Sequence, residues 1–195
     1  MHSYTTDTEK ITIFSIIALL SVVASLGLSS FFKWINAEVP WFIDAPSVVG
    51  FYGIFYKIFD EWLWNRTTNT PDLNGNWKGK INTSYDKQNN EYPARLTIKQ
   101  TWSHISLVLT TESSRSESCL AMISTKNADG SKIQYAYQNK PRHNAVSTMK
   151  QHDGTAFLIL QNNNVSQTLE GDYYTGRDRK NLGTLYFEKQ EDQID

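Results

Sequence analysis

Between Ile11 and Phe32 the chain carries no ionisable side chain; the run reads ITIFSIIALLSVVASLGLSSFF. At about 1.5 Å of rise per residue, an α-helix of this run reaches roughly 33 Å, enough to cross a hydrocarbon core of about 30 Å. Its polar members are Ser and Thr, whose hydroxyls bond back to helix carbonyls. No hydrophilic face recurs at the helical period, so a soluble amphipathic helix fits poorly. A cleaved secretory leader also fits poorly. Asp7 and Glu9 outweigh Lys10 ahead of the run, and the run is longer than the apolar region of such leaders.

A second apolar stretch runs from about Val39 to Trp64. Asp44, Lys57, Asp60 and Glu61 interrupt or bound it, leaving Ala45–Tyr56 uncharged. That core alone suits an interfacial or buried segment as well as a span. The tryptophans argue for a bilayer. Trp34, Trp41, Trp62 and Trp64, four of the six, stand where an interfacial belt would place them. The expectation is a hairpin of two transmembrane helices within residues 1–65, at about 11–33 and 40–63, turning through Asn36–Pro40. The competing arrangement is one span followed by an interfacial helix. Flanking charge does not fix the orientation, because Lys33, Glu38 and Asp44 near the turn balance about as Lys57, Asp60, Glu61 and Arg66 do.

Residues 66–74 have turn chemistry and read as a linker. Beyond them the hydrophobic period becomes two. Gly75, Trp77, Gly79, Ile81 and Thr83 share one face, against Asn76, Lys78, Lys80 and Asn82 on the other. The pattern returns at Ala94–Trp102, Ile105–Thr111, Ser118–Ser124, Ile133–Tyr137, Thr155–Gln161, Thr168–Thr175 and Gly183–Glu188. About eight short strands with no strong helix among them predict an all-β domain over residues 75–190. Its expected form is an antiparallel, lipocalin-like β-barrel of about eight strands, with a polar tail at 191–195. Closure removes exposed strand edges, and eight strands leave room for packed side chains or one small ligand.

The chemistry present points away from catalysis. His2, His104, His143 and His152 have no metal-ligand spacing with one another or with Cys119, the one cysteine. Cys119 falls within a strand-like segment and reads as a small buried thiol. There is no GxSxG, Walker A or HExxH motif, so the chain is expected not to be an enzyme and to need neither cofactor nor metal. A formal charge of −1, from 19 Lys+Arg against 20 Asp+Glu, argues against a partner made of DNA or RNA polymer.

A ligand-binding reading remains. Tyr85, Tyr135, Tyr137, Tyr173 and Tyr174 offer flat surfaces on which bases stack, and Arg95, Arg115 and Arg177 offer bidentate donors to phosphate. The same aromatics serve equally as barrel core, and the same arginines as solvated strand residues. The hydroxyl-rich segment Thr110–Ser118 reads either as donors gathered around Arg115 or as a polar hairpin loop.

The barrel opens with Leu73-Asn-Gly-Asn-Trp-Lys-Gly and closes with Leu169-Glu-Gly-Asp-Tyr-Tyr-Thr-Gly-Arg177, then Gly183-Thr-Leu. With a helical hairpin directly ahead of it, this resembles the two-transmembrane β-barrel effectors associated with bacterial cGAS-like nucleotidyltransferases in CBASS antiphage systems. The opening G-x-W is shared with lipocalins and other small barrels; its combination with the hairpin carries the resemblance. The resemblance implies a multi-pass inner-membrane protein with its barrel in the cytoplasm. The barrel would receive a cyclic dinucleotide made by a cognate nucleotidyltransferase. Self-association of the helices among membrane lipids would follow, then membrane disruption and abortive infection. From strand phase and these motifs, Trp77, Thr111, Tyr135, Tyr137, Tyr173 and Arg177 are placed near the ligand. Two other readings compete: a membrane-anchored, lipocalin-like carrier of an apolar ligand, which needs a large apolar cavity, and a structural subunit, whose barrel would be solidly packed.

Overall fold

The computed structural model describes residues 1–7, 10–35, 44–84, 91–147, 149–162, 166–176 and 181–190. They fall into two compact units: Thr8–Thr68, and Met1–Asp7 together with Asn69–Asp195.

The first unit is helical. Helix α1 spans Lys10–Trp34 and helix α2 spans Asp44–Ile58. A π-helical turn, Phe59–Leu63, and a last α-turn, α3 at Trp64–Thr67, continue α2. Phe14 meets Tyr56 with ring centroids 6.3 Å apart, and Ser25 hydrogen-bonds Ser47, so α1 and α2 lie side by side and antiparallel. Ser21 and Ser25 are buried, and the Ser21 hydroxyl donates to the Ile17 carbonyl at 2.6 Å. Small hydroxylated residues thus sit at the helix–helix contact, where they allow close approach and leave no polar group unsatisfied in an apolar setting. Many of the other α1 side chains are apolar and exposed, including Leu19, Leu20, Val23 and Leu26. By length and composition α1 is able to cross a membrane. The expected turn at Asn36–Pro40 lies outside the described residues.

The second unit is the barrel. Its sheet has ten strands among the described residues: β1 (His2–Ser3), β2 (Thr5–Thr6), β3 (Gly75–Thr83), β4 (Glu91–Gln100), β5 (His104–Thr110), β6 (Ser114–Ser124), β7 (Ser131–Pro141), β8 (His152–Asn162), β9 (Gln167–Thr175) and β10 (Leu182–Lys189). Strands β3 to β10 form an antiparallel meander, and β10 returns to pair with β3 from Gly183–Thr83 to Lys189–Trp77. The eight-stranded antiparallel barrel expected from the alternation is therefore present. The residues expected on its inner face, among them Trp77, Ile81, Leu96, Ile98, Ile105, Leu107, Ile133, Tyr135 and Leu169, are buried in one core.

The closure has a seam. Strands β5 and β6 pair only from Val108–Glu117 to Thr110–Arg115 and then diverge. Residues Met1–Asp7 fill the gap: His2 and Ser3 pair with Ile105 and His104, and Thr5 and Thr6 run parallel to Met122 and Ile123. The sequence reading groups these residues with the apolar helices; in the structure they belong to the barrel unit. Two-residue strands are too short to show a period, so alternation does not reveal them. Between them Tyr4 is buried. Its hydroxyl donates to the Thr101 carbonyl at 3.3 Å and receives the Gln100 side-chain amide at 3.1 Å. Gln100 also accepts from the Leu73 N–H at 2.9 Å and donates to the Pro71 carbonyl at 3.2 Å. These bonds close one end of the barrel around Leu73 and Trp77.

Cys119 differs from its expected burial. A bulge between Ser118 and Leu120 interrupts the alternation of β6, and the thiol is exposed.

Candidate functional site

The barrel end opposite Leu73 and Trp77 is open. It is formed where β3, β5, β7 and β9 finish and β4, β6, β8 and β10 begin. Inside it lies a cavity of about 480 Å³, within the roughly 300–1,000 Å³ range of small-ligand sites. Ile81, Leu109, Ala156 and Leu185 form apolar wall; Tyr135, Tyr137 and Tyr173 add three phenols; Thr111, Ser114, Ser116, Asn139, Thr175 and Asn181 bring polar groups to the rim.

Glycines make room for two of these rings. Tyr137 pairs across strands with Gly154, and Tyr173 with Gly183. A Cβ at either glycine would overlap the facing ring and a neighbouring backbone carbonyl. Each ring thus lies against a bare stretch of adjacent strand.

Tyr135 is 2% exposed, and its hydroxyl finds no hydrogen-bond partner among the described residues. Burial pushes its pKa up, so the phenol stays protonated and is a donor at any physiological pH. An unmet buried hydroxyl costs about 1–3 kcal/mol, which a ligand acceptor would relieve. The neighbouring polar groups are better satisfied. The Ser116 hydroxyl donates to Asn139 Oδ1 at 2.8 Å, and Thr111 Oγ1 accepts the Ser114 N–H at 3.0 Å, tying off the β5–β6 hairpin.

Of the residues expected at the ligand, Thr111, Tyr135, Tyr137 and Tyr173 line this one cavity. Trp77 does not: it is fully buried towards the closed end, its indole N–H donating to the Leu73 carbonyl at 3.0 Å. Arg177 lies outside the described residues, as does Tyr85. Arg95 and Tyr174 are on the outer surface. Arg115 also faces out and pairs with Glu117 at 2.9 Å, so the hydroxyl-rich segment is a hairpin whose Thr111, Ser113, Ser114 and Ser116 line the cavity without an arginine among them.

Sequence reasoning missed Asn139, Thr175, Asn181 and His152, and had Ser114 and Ser116 only as part of the hydroxyl-rich segment Thr110–Ser118. A signal existed for two of them. Asn139 continues the inward phase of Tyr135 and Tyr137, and Thr175 continues that of Tyr173. Polar residues on an inward phase at a strand end mark a wall that is wet. His152 opens β8 opposite Asn139, ahead of the run from Thr155 by which the sequence marks that strand, and Met149 belongs to the longer β7–β8 connection, where no period applies. Among the described residues no cluster of His, Cys, Asp and Glu has the arrangement of a metal site.

Comparison with known families gives two matches. Residues 11–65 match the TM helices of Cap15, and residues 68–189 match the Cap15 cyclic dinucleotide receptor domain. A comparison with the curated proteins gives no match. The boundary between the two family regions falls at the end of α3, just ahead of the segment that leads into β3, and the receptor region contains the whole cavity. With an apolar, membrane-associated helical pair followed by a barrel of this kind, the chain belongs to the Cap15 family of CBASS effectors, which join TM helices to a cyclic dinucleotide receptor domain.

Proposed function

We propose that a cyclic dinucleotide binds in the 480 Å³ cavity and that this binding drives the helical units of several copies together, disrupting the inner membrane in an infected cell. The chain would be multi-pass with its barrel in the cytoplasm, where a cognate nucleotidyltransferase releases the messenger. Loss of membrane integrity would then stop growth before phage release.

One observation carries the ligand assignment: three tyrosines line one open cavity of the receptor domain, one of them, Tyr135, with a buried hydroxyl unmet among the described residues. Nucleobases stack on aromatic faces for about 1–3 kcal/mol each. Tyr137 and Tyr173 supply faces, Tyr135 supplies a donor, and Thr111, Thr175 and Asn181 supply rim groups for sugar and phosphate. Arg177, which follows Gly176 in the sequence, is retained as a phosphate cation.

No bond is made or broken in this scheme. A ligand that binds the assembled state more tightly shifts the population by that difference alone. Confinement to a membrane raises the effective concentration of the copies, so modest contacts suffice.

The test is calorimetric titration of the full-length protein in detergent with a set of 3′,3′- and 2′,3′-linked cyclic dinucleotides covering all base combinations. Saturable binding of at least one, weakened by Tyr173→Ala and by Arg177→Ala, is expected. Failure of the whole set, with lipid or fatty acid bound instead, would establish the carrier.

A further inference from the structure

The outer surface of the barrel is electrically divided. On β3 and β4 the outward positions are Lys78, Lys80, Arg95 and Lys99, with Glu91 alone opposing them and paired to Lys80 at 2.7 Å. On β8, β9 and β10 the outward positions include Asp153, Glu170, Asp172 and Glu188, with no Lys or Arg among them. Among the described residues, Lys78, Arg95, Lys99, Glu170 and Asp172 enter no ion pair.

The shapes also differ. On the basic side a shallow depression of about 290 Å³ lies over β4, β5 and β6, floored by Thr97, Ser106, Val108 and Thr110 and flanked by Lys99 and Arg115. On the acidic side two rings stand out from the sheet: Phe157, 40% exposed, and Tyr174, 44% exposed, with centroids 5.9 Å apart. Asp172 is the cross-strand partner of Phe157. An aromatic ridge beside carboxylates on one face thus matches a hydroxylated depression beside cations on the other.

We infer that these are two halves of one interface, and that the basic face of one copy of this chain receives the acidic, aromatic face of the next. The inference rests on the self-association in the proposed function and names the surfaces that perform it. Lys78 on β3 and Glu188 on β10 are cross-strand partners, so the two signs meet along that boundary; the parts of the faces that carry the contact are the β4–β6 depression and the β8–β9 ridge, which β3 and β10 hold apart. The contact is therefore head to tail; repeated, it closes into a ring or runs on as a filament. An anionic lipid surface would engage the basic face but would leave the acidic face and its exposed rings without a role. Opposite faces of this kind steer association and fix its register, and their attraction weakens with salt.

Charge reversal tests this in the full-length protein reconstituted in phosphatidylethanolamine–phosphatidylglycerol vesicles. Copies carry donor or acceptor dyes on Cys119, which is exposed on β6 and lines neither the depression nor the aromatic ridge. Energy transfer is read with and without the cyclic dinucleotide set, at low and high salt. Arg95→Glu with Lys99→Glu should lower transfer at least fivefold, and so should Glu170→Lys with Asp172→Lys. Mixing the two variants should restore it, since each reversed face then meets the other; a misfolded variant could not be rescued so. Wild-type assembly that both variants reproduce unchanged would overturn the face assignment alone, and absence of wild-type transfer under every condition would also remove self-association from the proposed function. Loss confined to the basic-face variant would overturn the head-to-tail contact and assign that face to anionic lipid.

Discussion

Tyr135 is where burial and chemistry conflict most sharply. Its hydroxyl is buried without a partner among the described residues, so removing the oxygen takes away a cost rather than a bond. Tyr135→Phe should leave the melting temperature of the unliganded protein unchanged or raise it, while weakening cyclic dinucleotide binding about tenfold, or 1.4 kcal/mol. Paired thermal melts and titrations check both halves; a loss of stability with unchanged affinity would make Tyr135 ordinary core. The glycines under the other rings give a second prediction. Gly183→Ala must move both Tyr173 and the Asn82 carbonyl, an overpacking typically costing about 1–3 kcal/mol, and should lower thermal stability and affinity together. The inward phase of Thr111, Tyr135, Tyr137 and Tyr173 was legible in the alternation. How far along the barrel each one sits was not, because a period of two gives the face and not the depth. Trp77 shares the inward phase of Ile81 yet lies towards the closed end, where Leu73 receives its indole N–H.

At the scale of elements, the unusual component is the N-terminal segment in the β5–β6 seam. It is anchored by Tyr4 and, at its end, by Asp7. The Asp7 carboxylate accepts the Thr125 hydroxyl at 2.8 Å, the Thr125 N–H at 2.8 Å, the Lys126 N–H at 3.1 Å and the Ser124 hydroxyl at 3.2 Å. Partial burial works against its ionisation, but the bonds from Thr125, Lys126 and Ser124 outweigh that and hold its pKa below the ordinary 3.8. A carboxylate whose folded pKa is depressed stabilises the fold fully above its unfolded pKa, and this contribution is lost as pH falls through the folded value. The protection factors of the amides of residues 2–7, taken against unstructured rates at the same pH, should therefore fall on acidification below about pH 4, and Asp7→Asn should give the lower protection already at pH 7. Exchange in the variant equal to wild type at neutral pH would show that the carboxylate does not hold the strand. Tyr4→Ala should lower stability by about 3 kcal/mol, as removal of a buried aromatic does. The long barrel strands were legible because each contributes several alternating residues. The seam strands were not, since nothing in HSYTT distinguishes a two-residue pairing from a loop, and the acid that caps them reads only as charge ahead of a helix.

Across the whole molecule the division between an apolar helical part and an alternating β part was the most legible feature, because each part has its own hydrophobic period. Family matches to TM helices at 11–65 and to a receptor domain at 68–189 follow the same division. The electrical division of the barrel surface was hidden. Lys78 comes beside Arg95, and Asp172 beside Phe157, only through strand pairing. Because residues 1–7 complete the barrel, a receptor fragment begun at Asp72 should melt lower than the barrel in the full chain, and adding a synthetic peptide of residues 1–7 should raise its melting temperature. Unchanged melting would make the seam strand dispensable. The central claim is that occupancy of the cavity acts on the membrane through the helical unit. Release of a trapped dye from vesicles bearing the full-length protein, measured as cyclic dinucleotides are added, tests it most directly. The account predicts release that saturates with binding and disappears in Tyr173→Ala; binding that saturates while the vesicles stay sealed would contradict it.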